Sequence, residues 1–199
     1  MYHFKTTTMR RLTLLIAVCC LIGACNQTPE MRAFDKYKKH FPVLKFPYKN
    51  TCSDAISIAK LNISDSLFKK YAPPGTTGVI GIIKDTDYYT AILYVVSGDR
   101  QYPVIQTCDP EGTKLNDIGL INGVCCGSSN NCSGYSWGEI TGDMKVILRD
   151  SEKVFEKDSL TRVYSKTKFK DINTTDVYYI TDSGYIRVDT QQVKRVAQN

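Results

Sequence analysis

The chain has 199 residues, 42% of them hydrophobic, with 26 Lys and Arg against 20 Asp and Glu for a formal charge of +6. That length suits one domain burying about 70% of its unfolded surface, so a core forms without relying on crosslinks. The mild basicity gives no case for nucleic acid, and a total of two histidines argues against Ser–His, Cys–His and histidine-rich zinc chemistry.

Lys5, Arg10 and Arg11 precede an uncharged, mostly apolar run from Leu12 to Ile22. Such a run fits the ~7–15 residues of a secretory signal and falls short of the about 20 that span a bilayer. It ends in Ile22-Gly23-Ala24-Cys25, which resembles the lipobox of bacterial lipoproteins. Cys19 and Cys20 make a weaker site, because Val18 is large for a signal peptidase. The resemblance covers only the first 25 or so residues. It implies cleavage before Cys25, a thioether-linked diacylglyceryl group on its sulfur, and acylation of the new amine, commonly by palmitate. Two or more acyl chains anchor stably where one does not. Asn26 rather than Asp after the cysteine implies the outer membrane more than the inner one. Met9, just before Arg10 and Arg11, is an alternative start. The expected organisation is a signal peptide over 1–24, then lipid anchor, tether and short helix over 25–50. A single β-rich domain with a helical N-terminal part follows over 51–199. Cleavage leaves 175 residues and, without the three signal cations, a formal charge of +3.

After the anchor, Met31, Phe34, Tyr37 or Lys38, and Phe41 recur at helical spacing until Pro42 stops the pattern. Arg32, Lys36, Lys38, Lys39, Lys45 and Lys49 make this segment basic. That reads either as contact with anionic headgroups or as the solvated face of a docking helix. His40 also lies here and serves as a base only if the segment folds back over the domain.

Residues 51–72 carry mixed signals. Ile56 and Ile58 alternate like a strand, whereas Ala55, Ala59 and Lys60 suit a helix. Ser64 is a cap for a short helix ending at Tyr71, with Leu67, Phe68 and Tyr71 on one face. Pro73-Pro74-Gly75 then breaks the chain, and the main β region is expected to start there.

Residues 78–83 and 88–97 are apolar on both faces, as central strands are. Further strands are expected over 102–108, 115–121, 134–140, 144–148, 177–181 and 185–189. Turn residues separate them at Asp109-Pro110-Glu111-Gly112, Thr141-Gly142-Asp143 and Asp182-Ser183-Gly184. This spacing predicts a mainly β fold with minor α: an antiparallel meander forming a sandwich or partly closed barrel, with short N-terminal helices.

Between strands lies Cys125-Cys126-x5-Cys132, and Cys52 and Cys108 complete the set beyond the anchor. Disulfides are expected outside the cytosol, and an odd count leaves at least one thiol. Adjacent cysteines sit 3.8 Å apart at Cα, below the ~4.4 Å that a relaxed disulfide needs. A bond from Cys125 or Cys126 to Cys132 closes a small loop worth roughly 2.5 kcal/mol. Cys52 with Cys108 is a candidate second bridge. A redox-active thiol or a thiolate metal site is the alternative, but the C-x2-C pairs of metal sites are missing. Arg162, Tyr164, Lys166, Lys168 and Lys170 alternate onto one face of a strand. They read as an edge protected against aggregation, or as a row for an anionic glycan or lipid phosphate.

Tyrosine is abundant, and it combines apolar area with a polar tip. Tyr135 and Trp137 alternate onto one strand face. Tyr88 with Tyr94, and Tyr178 against Tyr185, are candidates to extend a ligand platform, cross-strand packing being the alternative. Glu139 with Asp143 or Asp109 is the available carboxylate pair. There is no Gly-x-Gly-x-x-Gly, P-loop, EF-hand or nucleophile elbow, so no cofactor, metal or catalytic residue is assigned. The expectation is a non-enzymatic cell-envelope lipoprotein. It would be held to the membrane by lipid and bind a glycan or another envelope protein. The alternative is a carboxylate-dependent envelope polysaccharide hydrolase.

Overall fold

Ile82 and Ile83 are adjacent in sequence and both buried, although they point to opposite faces of one strand. The reason is a layered architecture, seen in a computed structural model that describes residues 27–52, 54–59, 65–98, 101–121, 127–128 and 132–197. Strands β2 (Thr76–Asp85), β3 (Thr90–Ser97), β4 (Gln101–Cys108) and β5 (Lys114–Gly119) form an antiparallel meander. Helices α1 (Pro29–Lys38) and α2 (Asp65–Tyr71) cover one face of this first sheet. A second sheet covers the other face. It has the order β1 (Tyr48–Thr51), β7 (Cys132–Ile140), β8 (Lys145–Lys157), β9 (Tyr164–Ile180), β10 (Ile186–Ala197), with β6 (Gly127–Ser128) also paired to β7. The fold is therefore mainly β, a two-sheet antiparallel sandwich that does not close into a barrel.

Alternation along the strands fills two cores. Between the sheets, Ile83, Ala91, Leu93 and Ile105 meet Ile140, Val146, Leu148 and Ile180. On the helical side, Phe34, Tyr37, Phe41 and Tyr71 pack on Val79, Ile82, Ile92 and Tyr94. Helix α1 starts at a cap its own sequence supplies: the Thr28 side chain accepts from the Met31 N–H at 3.1 Å, and Pro29 takes the first helical position. Helix α2 places Leu67, Phe68 and Tyr71 inward, as its spacing predicts; Ser64, its expected cap, lies outside the described residues. At the ends of two hairpins Gly112 and Gly184 adopt φ of +85° and +83°, a backbone region that costs glycine nothing.

Three differences from the sequence reading have physical causes. Residues 29–50 are part of the domain, because α1 docks on the first sheet and the unforeseen β1 pairs with β7 through Tyr48↔Ile140 to Thr51↔Trp137. Between them, Leu44 N–H donates to Ile82 O and Ile82 N–H to Pro42 O, both at 2.8 Å, covering part of the β2 edge. Strands β8 to β10 run far beyond the expected 144–148, 177–181 and 185–189, outreaching the first sheet. The basic stripe does not follow one unbroken strand face: Lys170 lies between Val154 of β8 and Ala197 of β10, whereas Tyr164 pairs with Lys157 of β8 beyond the last β9–β10 pair. Arg162 sits in the β8–β9 turn at φ +57°, and the pairing jumps from Phe155↔Phe169 to Glu156↔Ser165 across Lys166 and Lys168. Among the described residues, no helix is long and apolar enough to cross a membrane.

Candidate functional site

The β7–β8 turn sets the register on which the site depends. Thr141 Oγ1 donates to Asp143 at 2.5 Å and accepts from the Lys145 N–H at 3.1 Å. The Thr141 hydroxyl, with a smaller contribution from the Lys145 charge, holds the Asp143 carboxyl below its ordinary range. Counting back from this turn pairs Trp137 with Arg149 and Tyr135 with Ser151. The next strand adds Thr175 opposite Arg149 and Asn173 opposite Ser151. Residues paired directly across an antiparallel ladder share a face, so these six side chains form a block of two rows over three strands. They face away from the inter-sheet core and, with Asp150 and Thr174, line an open depression of about 200 Å³.

Within the depression the Arg149 guanidinium lies 4.6 Å from the centroid of the Trp137 ring. Arg149 is exposed and makes no ion pair among the described residues. Tyr135 is 47% exposed, and Trp137 is half-buried. On the reverse face the same strands are tied together by polar contacts. Ser136 Oγ donates to Asp150 Oδ1, and Thr174 Oγ1 donates to Asp150 Oδ2 at 3.4 Å. The Asp150 carboxylate is thus directed away from the aromatic face. The site offers a stacking surface, guanidinium donors, and hydroxyl and amide groups on a rigid sheet.

The other expected platform residues are elsewhere. Tyr94 is fully buried against α1, its hydroxyl 3.1 Å from that of Tyr37, and burial pushes both phenols well above their ordinary range. Tyr178 points into the sandwich and packs on the inter-sheet core; burial, then the Asp176 charge, raises it. Tyr88 is 74% exposed in the β2–β3 turn of the first sheet. Tyr185 is 41% exposed beside the β9–β10 turn, with Arg187 above its ring at 5.7 Å. Of the six expected platform residues, Tyr135 and Trp137 are the two that line the depression, and the sequence reading missed Arg149, Ser151, Asn173 and Thr175.

The carboxylates expected over a sugar have separate tasks. Glu139 lies 3.4 Å from Lys49, and Asp109 accepts from the Glu111 and Thr113 N–H groups of its turn. His40 is exposed just past the end of α1.

Cys52 and Cys108 do not form the expected bridge. Both are free; Cys52 directly follows β1 of the second sheet, whereas Cys108 ends β4 of the first. Cys52 Sγ accepts from the Ser136 N–H at 3.3 Å, whereas Cys108 is buried beneath the helices and accepts from Gln106 Nε2 at 3.1 Å. Burial pushes the Cys108 thiol up to about 11 despite that hydrogen bond. Cys132 is buried at the start of β7; Cys125 and Cys126, its expected partners, and the lipidation candidate Cys25 lie outside the described residues. No group of three or more potential metal ligands occurs among the described residues. In comparisons with known proteins, the chain matches no family model, no curated protein and no solved structure.

Proposed function

We propose that this protein is a lipid-anchored binding module of the bacterial cell envelope, holding a glycan on the outward face of its second sheet. The lipobox resemblance at Ile22-Gly23-Ala24-Cys25 supports anchoring through an acylated Cys25, and Asn26 favours the outer membrane. In that oxidising compartment Cys132 would pair with Cys125 or Cys126.

The observation that carries the binding reading is the Tyr135–Trp137–Arg149 cluster with Ser151, Asn173 and Thr175 beside it. Aromatic rings stack on the C–H face of a sugar, while hydroxyl and amide groups meet its hydroxyls. A depression of about 200 Å³ is smaller than the roughly 300–1,000 Å³ that buries a drug-sized molecule. An open site of that size suits one ring of a longer polymer lying across the sheet. The guanidinium of Arg149, which makes no ion pair among the described residues, favours a ring bearing carboxylate, phosphate or sulfate. The hydrolase alternative gains no specific support, since Glu139 and Asp109 are engaged elsewhere.

The reading is tested on a glycan array and with purified envelope polysaccharides, comparing the wild type with Trp137→Ala. Micromolar binding that the variant loses supports it. Absence of any glycan ligand, together with an envelope protein captured from solubilised membranes, replaces it with a protein partner.

A further inference from the structure

The structure sorts the six cations between Arg32 and Lys49 into engaged and free. Lys38 bridges Asp35 at 3.1 Å and Asp85 at 2.7 Å, and Lys49 pairs with Glu139. Lys45 lies beyond α1, exposed and without an ion pair among the described residues; Arg32, Lys36 and Lys39 are likewise exposed and make none. At about 100° per residue these three fall within a sector of roughly 60° on the helical path. Phe34 and Tyr37, buried on the first sheet, take the opposite side. The acid nearest the stripe, Asp35, is held by Lys38 and by the Gln27 amide at 3.2 Å. Lys69 and Lys70 of the adjoining α2 are exposed as well.

Position gives this stripe its meaning. Helix α1 begins at Pro29, four residues after Cys25. An extended chain of that length spans at most about 14 Å. A domain tethered so closely to an acylated sulfur must rest some face at headgroup level, and α1 is the first element the tether reaches. We propose that the solvent face of α1, led by Arg32, Lys36 and Lys39, seats on anionic phospholipid headgroups. The inference rests on the lipid-anchoring part of the proposed function. The helices, the first sheet and the second sheet stack in that order, with sheets about 10 Å apart. Seating on α1 therefore turns Trp137 away from the bilayer, where a glycan can reach it. Each cation close to an anionic surface contributes roughly a fivefold gain in partitioning.

The test uses the full protein with its native N-terminus, reconstituted into phosphatidylcholine vesicles with or without phosphatidylglycerol, and reads lysine acetylation residue by residue. Lys36 and Lys39 should acetylate several-fold more slowly on the anionic vesicles, and high salt should restore their rates. Lys145 and Lys153 of the second sheet should not change, and a lipid-borne quencher should leave Trp137, the single tryptophan, unaffected. R32Q should weaken the protection of Lys36 and Lys39. Equal rates for Lys36 and Lys39 on both vesicles, or protection at Lys145 and Lys153 instead, overturns the proposal. The mass of the N-terminal peptide separates the two failures. An unmodified Cys25 overturns the anchoring, whereas an acylated Cys25 with unprotected Lys36 and Lys39 overturns the orientation alone.

Discussion

Arg149 and Trp137 are direct cross-strand partners on β8 and β7, and the guanidinium stacks 4.6 Å from the indole centroid. At an exposed site this cation–π contact is worth about 0.5–1 kcal/mol. Arg149→Ala should therefore change stability by no more than about 1 kcal/mol, yet weaken an acidic glycan at least about tenfold, since a charge-assisted hydrogen bond is lost. Arg149→Lys keeps the charge but not the planar fork, and should recover only part of the affinity. Calorimetric titration alongside urea denaturation separates the two effects.

The hydroxyls of Tyr37 and Tyr94 meet at 3.1 Å in the core between α1 and the first sheet. Tyr94→Phe leaves the Tyr37 hydroxyl buried without this partner and should cost about 1–3 kcal/mol. The double variant Tyr37→Phe with Tyr94→Phe should cost less than the two single changes added together. Denaturant unfolding of all four proteins gives the coupling directly. Additive losses would show that the hydroxyl pair contributes nothing jointly.

Alkaline pH should destabilise the protein. Burial raises the Cys108 thiol to about 11 and Tyr48 to about 12, and it raises Tyr37 and Tyr94 in the same direction. These groups hold their protons more tightly folded than unfolded, so stability falls wherever the unfolded chain ionises first. Their contribution is complete below the unfolded thiol range near pH 9 and is lost as pH rises through about 11. The melting temperature should therefore decline from about pH 9 upward, and Cys108→Ala should flatten the first part of that decline. An unchanged slope in the variant contradicts the assignment.

Gly138 lies beneath Leu120, where an added Cβ collides with the Leu120 carbonyl oxygen and Cγ. Gly138→Ala should destabilise by about 3 kcal/mol, because relief requires a backbone shift between the sheets. Gly142, in the β7–β8 turn, has nothing within 4 Å of the same hypothetical atom. Gly142→Ala should be close to neutral, and thermal denaturation of the pair tests this close approach.

What could be read from the chain follows from what each signal encodes. Within the expected strands 78–83 and 88–97, residues such as Ile82, Ile83, Ile92 and Leu93 are buried on both faces because the helical layer and the second sheet each demand apolar side chains. β1 escaped notice because Tyr48-Lys49-Asn50-Thr51 is too short to display a period. The far halves of β8 to β10 escaped because segments such as Ser151-Glu152-Lys153 leave the core and lose the apolar alternation that marks a strand. Tyrosine was ambiguous by nature: Tyr94 and Tyr135 share one chemistry, and only the layer behind each strand decides which is buried. Arg149 and Ser151 were within reach, since counting outward from Thr141-Gly142-Asp143 sets them opposite Trp137 and Tyr135. Asn173 and Thr175 join only through the β8–β9 ladder, whose register breaks at Phe155 and leaves no local trace.

Trp137, as the single tryptophan, reports on the site without any label. Titrating its fluorescence with purified acidic and neutral envelope glycans tests the binding claim most directly. The expected result is a saturable change at micromolar concentration, stronger for acidic chains, that disappears in Tyr135→Ala while the fold persists. A signal that stays flat for every glycan, or one that Tyr135→Ala leaves intact, contradicts it.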